Sequence, residues 1–281
     1  VIYDLTDATT FAHLRNTFGF VTFHAQWEHL TYSIVYAGLE GTDEDANASR
    51  PTTATYDVPF AVSTPTKFGY TFAGWNITGM DDSEHVVGLS TTSATSLSNC
   101  MESGFSNLLS SEGTVTFTAT WIPVPYSISY TGMEDALFGT NHPTTASFGS
   151  TFTVDNPTKA GFAFAGWNIR GMDGLSHTIG SDSISGFEAL GVTATSFADL
   201  RSSEGTVVFE ATWTGLSYDV TFAGLDGATS SGGVSVGYAD KHVGSRDTFG
   251  VDAPKKQGYV FTGWNITGMD TSVHSIGDLT D

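Results

Sequence analysis

Three histidines recur at one phase of the chain, His85, His177 and His274, with the carboxylates Asp81, Asp173 and Asp270 close by in sequence. Imidazole and carboxylate are ligands that a zinc-like ion takes, but a closed shell needs several donors brought together. One histidine per copy, a domain apart, does not supply them. The reading is therefore a hydrogen-bonded structural histidine that fixes a long loop, and no metal is assigned. A lysine nine residues before an asparagine also recurs, as Lys67 with Asn76, Lys159 with Asn168 and Lys256 with Asn265. Ammonium and carboxamide are the reactants of an intramolecular isopeptide bond, which needs burial and an adjacent carboxylic acid. Each lysine instead follows a proline at a rim, where a snorkelling lysine beside a turn-forming asparagine is expected.

Asn76 and Asn265 stand in N-I-T and Asn47 in N-A-S, so all three are candidate glycosylation sites. Copy two breaks the pattern at Arg170, which means the asparagine recurs first for a structural reason. The acidic turn Asp43, Glu44, Asp45 offers oxygen ligands to calcium, but it is not repeated and lacks an EF-hand spacing. Cofactors are thus expected to be none, with calcium the one candidate. Catalytic motifs are missing: no G-x-S-x-G, no P-loop and no H-E-x-x-H. Cys100 is the single cysteine, which leaves no disulfide framework. Signatures repeated identically in every copy also argue against a singular catalytic constellation, so no enzyme is expected.

The elements that carry these residues are repeats. The stretch GYTFAGWNITGMD from Gly69 returns as GFAFAGWNIRGMD from Gly161 and GYVFTGWNITGMD from Gly258. Trp75 to Trp167 is 92 positions and Trp167 to Trp264 is 97, one small domain per period. Each copy opens on an alternating strand: Tyr32, Ile34, Tyr36; then Tyr126, Ile128, Tyr130; then Tyr218, Val220, Phe222. A second alternating strand, V-x-F-x-A-x-W, closes it at Trp121 and Trp213, and the same string ends at Trp27. Sixteen residues before each closing tryptophan stands a Phe followed three later by a Leu: Phe11 and Leu14, Phe105 and Leu108, Phe197 and Leu200. That spacing in a Ser/Thr-capped segment predicts a short amphipathic helix on the sheet.

The expected fold class is β-rich α+β: tandem β-grasp-like repeats of about 92–97 residues, each a mostly antiparallel sheet with one short helix, a small sandwich being the alternative. Boundaries follow at 1–27, 28–121, 122–213 and 214–281. The strings PTKFGYTFAGW, PTKAGFAFAGW and PKKQGYVFTGW, with the V-x-F-x-A-x-W strands after the first two, resemble the Listeria-Bacteroides repeat, also called the internalin B-repeat. The resemblance covers nearly the whole chain and implies a β-grasp-like fold in a tandem bacterial or archaeal surface protein. It transfers no catalytic residue. The segment after each aromatic strand, NITGMD with a histidine, lengthens the unit beyond the family pattern.

Thirty acidic against ten basic residues give a net charge of −20, which repels nucleic acid and anionic membranes. No run of 18 apolar residues exists, so no membrane insertion by a helix is expected. Low lysine, abundant Ser, Thr and Gly, and the tandem layout point to an extracellular, cell-surface setting. Val1 reads as an interior point of a precursor or a cut end. The 68 residues from Thr214 lack a closing strand, and the 27 up to Trp27 lack a beginning; together they make one repeat length. The expected partner is therefore another copy, joined head-to-tail, with Phe11, Leu14, Val21, Phe23, Ala25 and Trp27 donated to Tyr218, Val220, Phe222, Tyr259, Phe261 and Trp264. A window cut from a longer covalent array would produce the same phase. The alternative function is an adhesin whose loops, Leu39–Arg50 or Gly224–Val243, bind a host protein or glycan.

Overall fold

The computed structural model describes residues 10–43, 48–229, 238 and 240–270. The chain divides into two compact units, Val1–Pro123 and Val124–Asp281.

In the first unit a closed repeat is built on three long strands: an opening strand Thr31–Ala37, an aromatic strand Tyr70–Thr78 and a closing strand Thr114–Pro123. The closing strand is central, parallel to the opening strand on one side and antiparallel to the aromatic strand on the other. Short strands at Thr53–Thr55, Thr66–Lys67, Thr42–Asp43 and Ser96–Cys100 complete a seven-stranded sheet. Alternation explains the burial: Val115, Phe117 and Ala119 point into the core while the threonines between them face outward.

A four-stranded sheet, ordered Phe60–Ala61, Gly104–Ser106, His85–Val87, Ser90–Thr92, supplies the second layer. Its Val87 and Phe105 join Trp75, Ile77 and Phe117 in one core, and the Phe105 and Phe117 rings meet edge to face at 5.1 Å. The second unit repeats the plan with opening strand Pro125–Thr131, aromatic strand Phe162–Arg170 and closing strand Thr206–Gly215. Its own four-stranded sheet contributes Ile179 and Phe197 to the core.

This overturns the α+β expectation. Among the described residues strands make up 45% and helix 0%, so the face expected to lie under a helix lies under a second sheet. The expected helices at Phe105/Leu108 and Phe197/Leu200 are short strands, Gly104–Ser106 and Ser196–Ala198, that end in a left-handed residue, Asn107 (φ 59°) or Asp199 (φ 57°). One such residue turns the chain so that Leu108 and Leu200 re-enter the core on the same side as the Phe. A spacing of three therefore arises without a helical turn, in Ser-, Asn- and Asp-rich segments that favour such kinks over helix. The Phe11/Leu14 segment has no helix either, and His13 takes the same left-handed conformation (φ 55°). The segment after each aromatic strand, which carries the recurring histidine, is the one that builds the small sheet, at His85–Val87 and Ser176–Ile179.

The third repeat, within the second unit, has an opening strand Ser217–Val220 paired antiparallel with Lys241–Gly244. Its aromatic stretch, residues 258–270, contains no strand.

Candidate subunit-joining site

The closing tryptophan sits in a slot of the same construction in both closed repeats. Trp121 Nε1 donates to Gly38 O at 2.9 Å, its ring meets Phe72 at 5.4 Å, and Lys67 Nζ lies 5.8 Å from the ring centre. Trp213 Nε1 donates to Gly132 O at 2.8 Å, its ring meets Phe164 at 5.6 Å, and Lys159 Nζ lies 5.7 Å away. The lysine spans two rings, because Tyr70 and Phe162 stand 4.9 and 5.1 Å from the same ammonium groups. The lysine is thus a cationic lid over the slot. Asn76 and Asn168 are engaged elsewhere, their Oδ1 atoms accepting from Asn99 N and Gly191 N at 2.9 and 3.1 Å.

Two recurring glycines record how closely the closing strand passes. A Cβ on Gly38 or Gly132 would stand 2.5 or 2.4 Å from the carbonyl oxygen of Ala119 or Ala211. A Cβ on Gly79 or Gly171 would stand 2.4 Å from the carbonyl of Thr114 or Thr206. All four are in the left-handed region as well. In the third repeat the corresponding Gly224 and Gly268 keep positive φ, 78° and 83°, but among the described residues nothing lies within 4 Å of a Cβ on either. No described residue occupies the space that a closing strand fills in the other repeats.

The slot itself is also present there. Gly224, Lys256, Tyr259, Phe261 and Trp264 line one groove, with Lys256 Nζ 5.0 Å from the Tyr259 ring and Phe261 packed on Trp264 at 5.3 Å. Phe222 packs on Trp264 at 5.7 Å, while Tyr259 is 71% exposed. Tyr218 is 45% exposed against 3% for Tyr32, its counterpart in the closed first repeat, and Val220 pairs with Lys241. On the other half, Phe11, Leu14, Val21, Phe23 and Ala25 are exposed and Trp27 is 90% exposed, whereas Phe117 and Phe209, the counterparts of Phe23, are fully buried. Among the described residues the two groups named from the sequence lie in different units; the first is exposed throughout, while in the second Tyr218 and Tyr259 are exposed and Val220, Phe222, Phe261 and Trp264 are half-buried.

The histidine phase resolves into a loop clamp. His85 and His177 are buried, with Nδ1 2.6 and 2.7 Å from the carbonyls of Asn107 and Asp199. Their Nε2 atoms lie 2.9 and 3.0 Å from the carbonyls of Asp81 and Gly186. Asp81 completes the clamp by accepting from the backbone N–H and hydroxyl of Ser83 and of Ser110; Asp173 accepts from both groups of Ser202 and from Leu175 N. Burial works against ionisation of Asp81, but these hydrogen bonds outweigh it and hold the carboxyl well below the usual carboxylate range; Asp173 shifts in the same direction for the same reasons. The clamp ties the left-handed kink to the segment after the aromatic strand. Among the described residues no three ligating side chains gather around a common point.

Several sites named from the sequence fall elsewhere. His274, Asn47, Glu44 and Asp45 lie outside the described residues. Asp43 is exposed, with Thr66 Oγ1 donating to it at 3.4 Å. Asn76 is half-buried and Asn265 exposed. The slot glycines and the lysine lid were not singled out from the sequence as parts of a site. Their signal was there: an aromatic residue two positions before a glycine recurs as Tyr36/Gly38, Tyr130/Gly132 and Phe222/Gly224.

Residues 32–97, 126–185 and 218–278 each match the family model of the Listeria-Bacteroides repeat domain. No curated protein and no solved structure matches the chain.

Proposed function

The chain belongs to the Listeria-Bacteroides repeat family, carrying that domain three times in tandem, and from this premise we propose that it is a non-catalytic structural protein of the cell surface that joins copies of itself head-to-tail. No helix among the described residues is long and apolar enough to cross a membrane, and the repeat family is one of surface-associated tandem arrays. The observation that carries the reading is the open tryptophan slot at Gly224 and Lys256, beside a third repeat whose aromatic stretch has no strand partner among the described residues.

An unpaired strand edge over an apolar face is a template for another chain. The exposed string from Val21 to Trp27 carries the side-chain pattern that fills the same place in the other two repeats. A contact between unlike ends of identical subunits does not close on itself, so repetition produces a filament. The excess of acidic residues keeps neighbouring filaments apart.

Sedimentation and electron microscopy test this directly. The expected result is a ladder of polymers that returns to 29.7 kDa chains on full denaturation, and deletion of residues 10–27 leaves monomers. A chain that stays monomeric at every concentration refutes the reading.

A further inference from the structure

We propose that residues 20–27 of one copy form the closing strand of another copy's third repeat, parallel to Ser217–Val220 and antiparallel to residues 259–268, with Trp27 in the slot under Lys256. The inference rests on head-to-tail association and fixes its register and contacts.

The register comes from the closed repeats. Val115 and Phe117 lie opposite Ile34 and Tyr36 across the parallel pair, and Phe117 and Ala119 opposite Ile77 and Trp75 across the antiparallel one. Carried over by the shared strings, Val21 and Phe23 face Val220 and Phe222, while Phe23 and Ala25 face Ile266 and Trp264. The two glycine gaps then receive carbonyls as in the other repeats: Ala25 passes Gly224, and Phe20 passes Gly268. A slip of one residue would turn Val21, Phe23 and Ala25 to solvent.

The donor already holds the local conformation it would need. His13 and Gly19 have φ of 55° and 148°, and their counterparts Asp199 and Gly205 in the closed second repeat have 57° and 146°. Between them Arg15 repeats the bonds of Arg201. Nε donates to Thr17 O at 3.3 Å as Arg201 Nε does to Ser203 O, and Nη2 donates to Phe18 O at 2.8 Å as Arg201 Nη2 does to Glu204 O at 3.0 Å. The Phe11 and Phe23 rings meet at 4.9 Å, as Phe197 and Phe209 do at 5.0 Å. One bond differs. Arg201 Nη1 donates to Gly171 O just past the aromatic strand at 2.5 Å, whereas Arg15 Nη1 donates to Phe20 O within its own segment at 3.3 Å. The counterpart of Gly171 is Gly268, so docking moves this N–H from Phe20 O to Gly268 O and frees Phe20 to pass the glycine. A preformed loop reduces the ordering cost of docking.

The test is cross-linking between copies in a Cys100→Ser background. The closed repeats place Thr118 opposite Asn76 and Glu210 opposite Asn168, which makes His24 and Asn265 partners on the outer face. Both are exposed and outside the core, so substitution leaves folding intact. Mixing a His24→Cys chain with an Asn265→Cys chain under mild oxidation is expected to give a disulfide-linked dimer. The pair His24→Cys with Thr267→Cys, two residues out of register, is expected to give about tenfold less. Equal yields, or a link confined to one chain in the double variant, overturn the register and the occupant even where light scattering still shows polymers. Absence of polymers from the chain without these substitutions overturns head-to-tail association itself.

Discussion

The indole N–H of Trp121 donates to the carbonyl oxygen of Gly38, 83 residues earlier in the chain, and Trp213 does the same to Gly132 across 81. Through this bond the last strand of a repeat is fastened to the end of the first. Replacing Trp213 with alanine removes the hydrogen bond, the Phe164 contact and the ring beneath Lys159 together. The expected cost is about 3 kcal/mol, read as a lowered chemical-denaturation midpoint, with Trp213→Phe recovering part of it.

Gly132→Ala and Gly224→Ala separate strain from steric exclusion. Both positions are left-handed, so either change costs roughly 1–2 kcal/mol through the backbone alone. Only Gly132 has a carbonyl where the new methyl would go. Gly132→Ala is expected to destabilise the folded monomer by clearly more than Gly224→Ala in denaturant titrations. Gly224→Ala should instead abolish polymers in sedimentation, because its methyl occupies the path of the incoming strand.

Acid should loosen the closed repeats through Asp81 and Asp173. Both carboxyls titrate lower when folded than when unfolded, so their contribution is present above the ordinary carboxylate range and is lost as pH falls through the depressed folded values. Asp81→Asn and Asp173→Asn keep the size but lose the charge that accepts from the serines. Each is expected to cost about 2 kcal/mol at pH 7 and much less at pH 2, measured by thermal unfolding across that range.

At the alkaline end the tyrosines set the limit. Burial pushes the phenols of Tyr36 and Tyr130 up to about 12, in the case of Tyr36 against the nearby Arg50. A raised value favours the folded state below the unfolded value, near pH 10, and the contribution disappears as pH rises towards 12. Ultraviolet titration should show these phenols ionising late, and Tyr130→Phe should remove part of the loss of stability between pH 10 and 12.

Much of the arrangement was legible from side-chain types alone. The period, the aromatic strand and V-x-F-x-A-x-W all rest on alternation, a local property that survives without knowledge of the partner strand. Phe105 and Leu108 show where local reading fails. A spacing of three fits a helical face, and it equally fits a strand followed by a single left-handed residue; Asn107 decides between them, and its conformation is held by the His85 contact to its carbonyl from 22 residues away. The histidine phase was likewise visible as a recurrence. That both ring nitrogens meet backbone carbonyls, with Asp81 held by serines, required the loops to be folded together.

The repeat and its family, the acidic balance and the recurrence of Lys67, Lys159 and Lys256 were determined by the sequence itself, because composition and period do not depend on coordinates. Two matters belonged to the tertiary structure. The core is closed by a second sheet, since burial of Phe105 against Phe117 depends on contacts distant in sequence. And no described residue covers the slot at Gly224, which is a statement about the space beside a backbone; a glycine in a sequence is the same letter whether a strand passes over it or not.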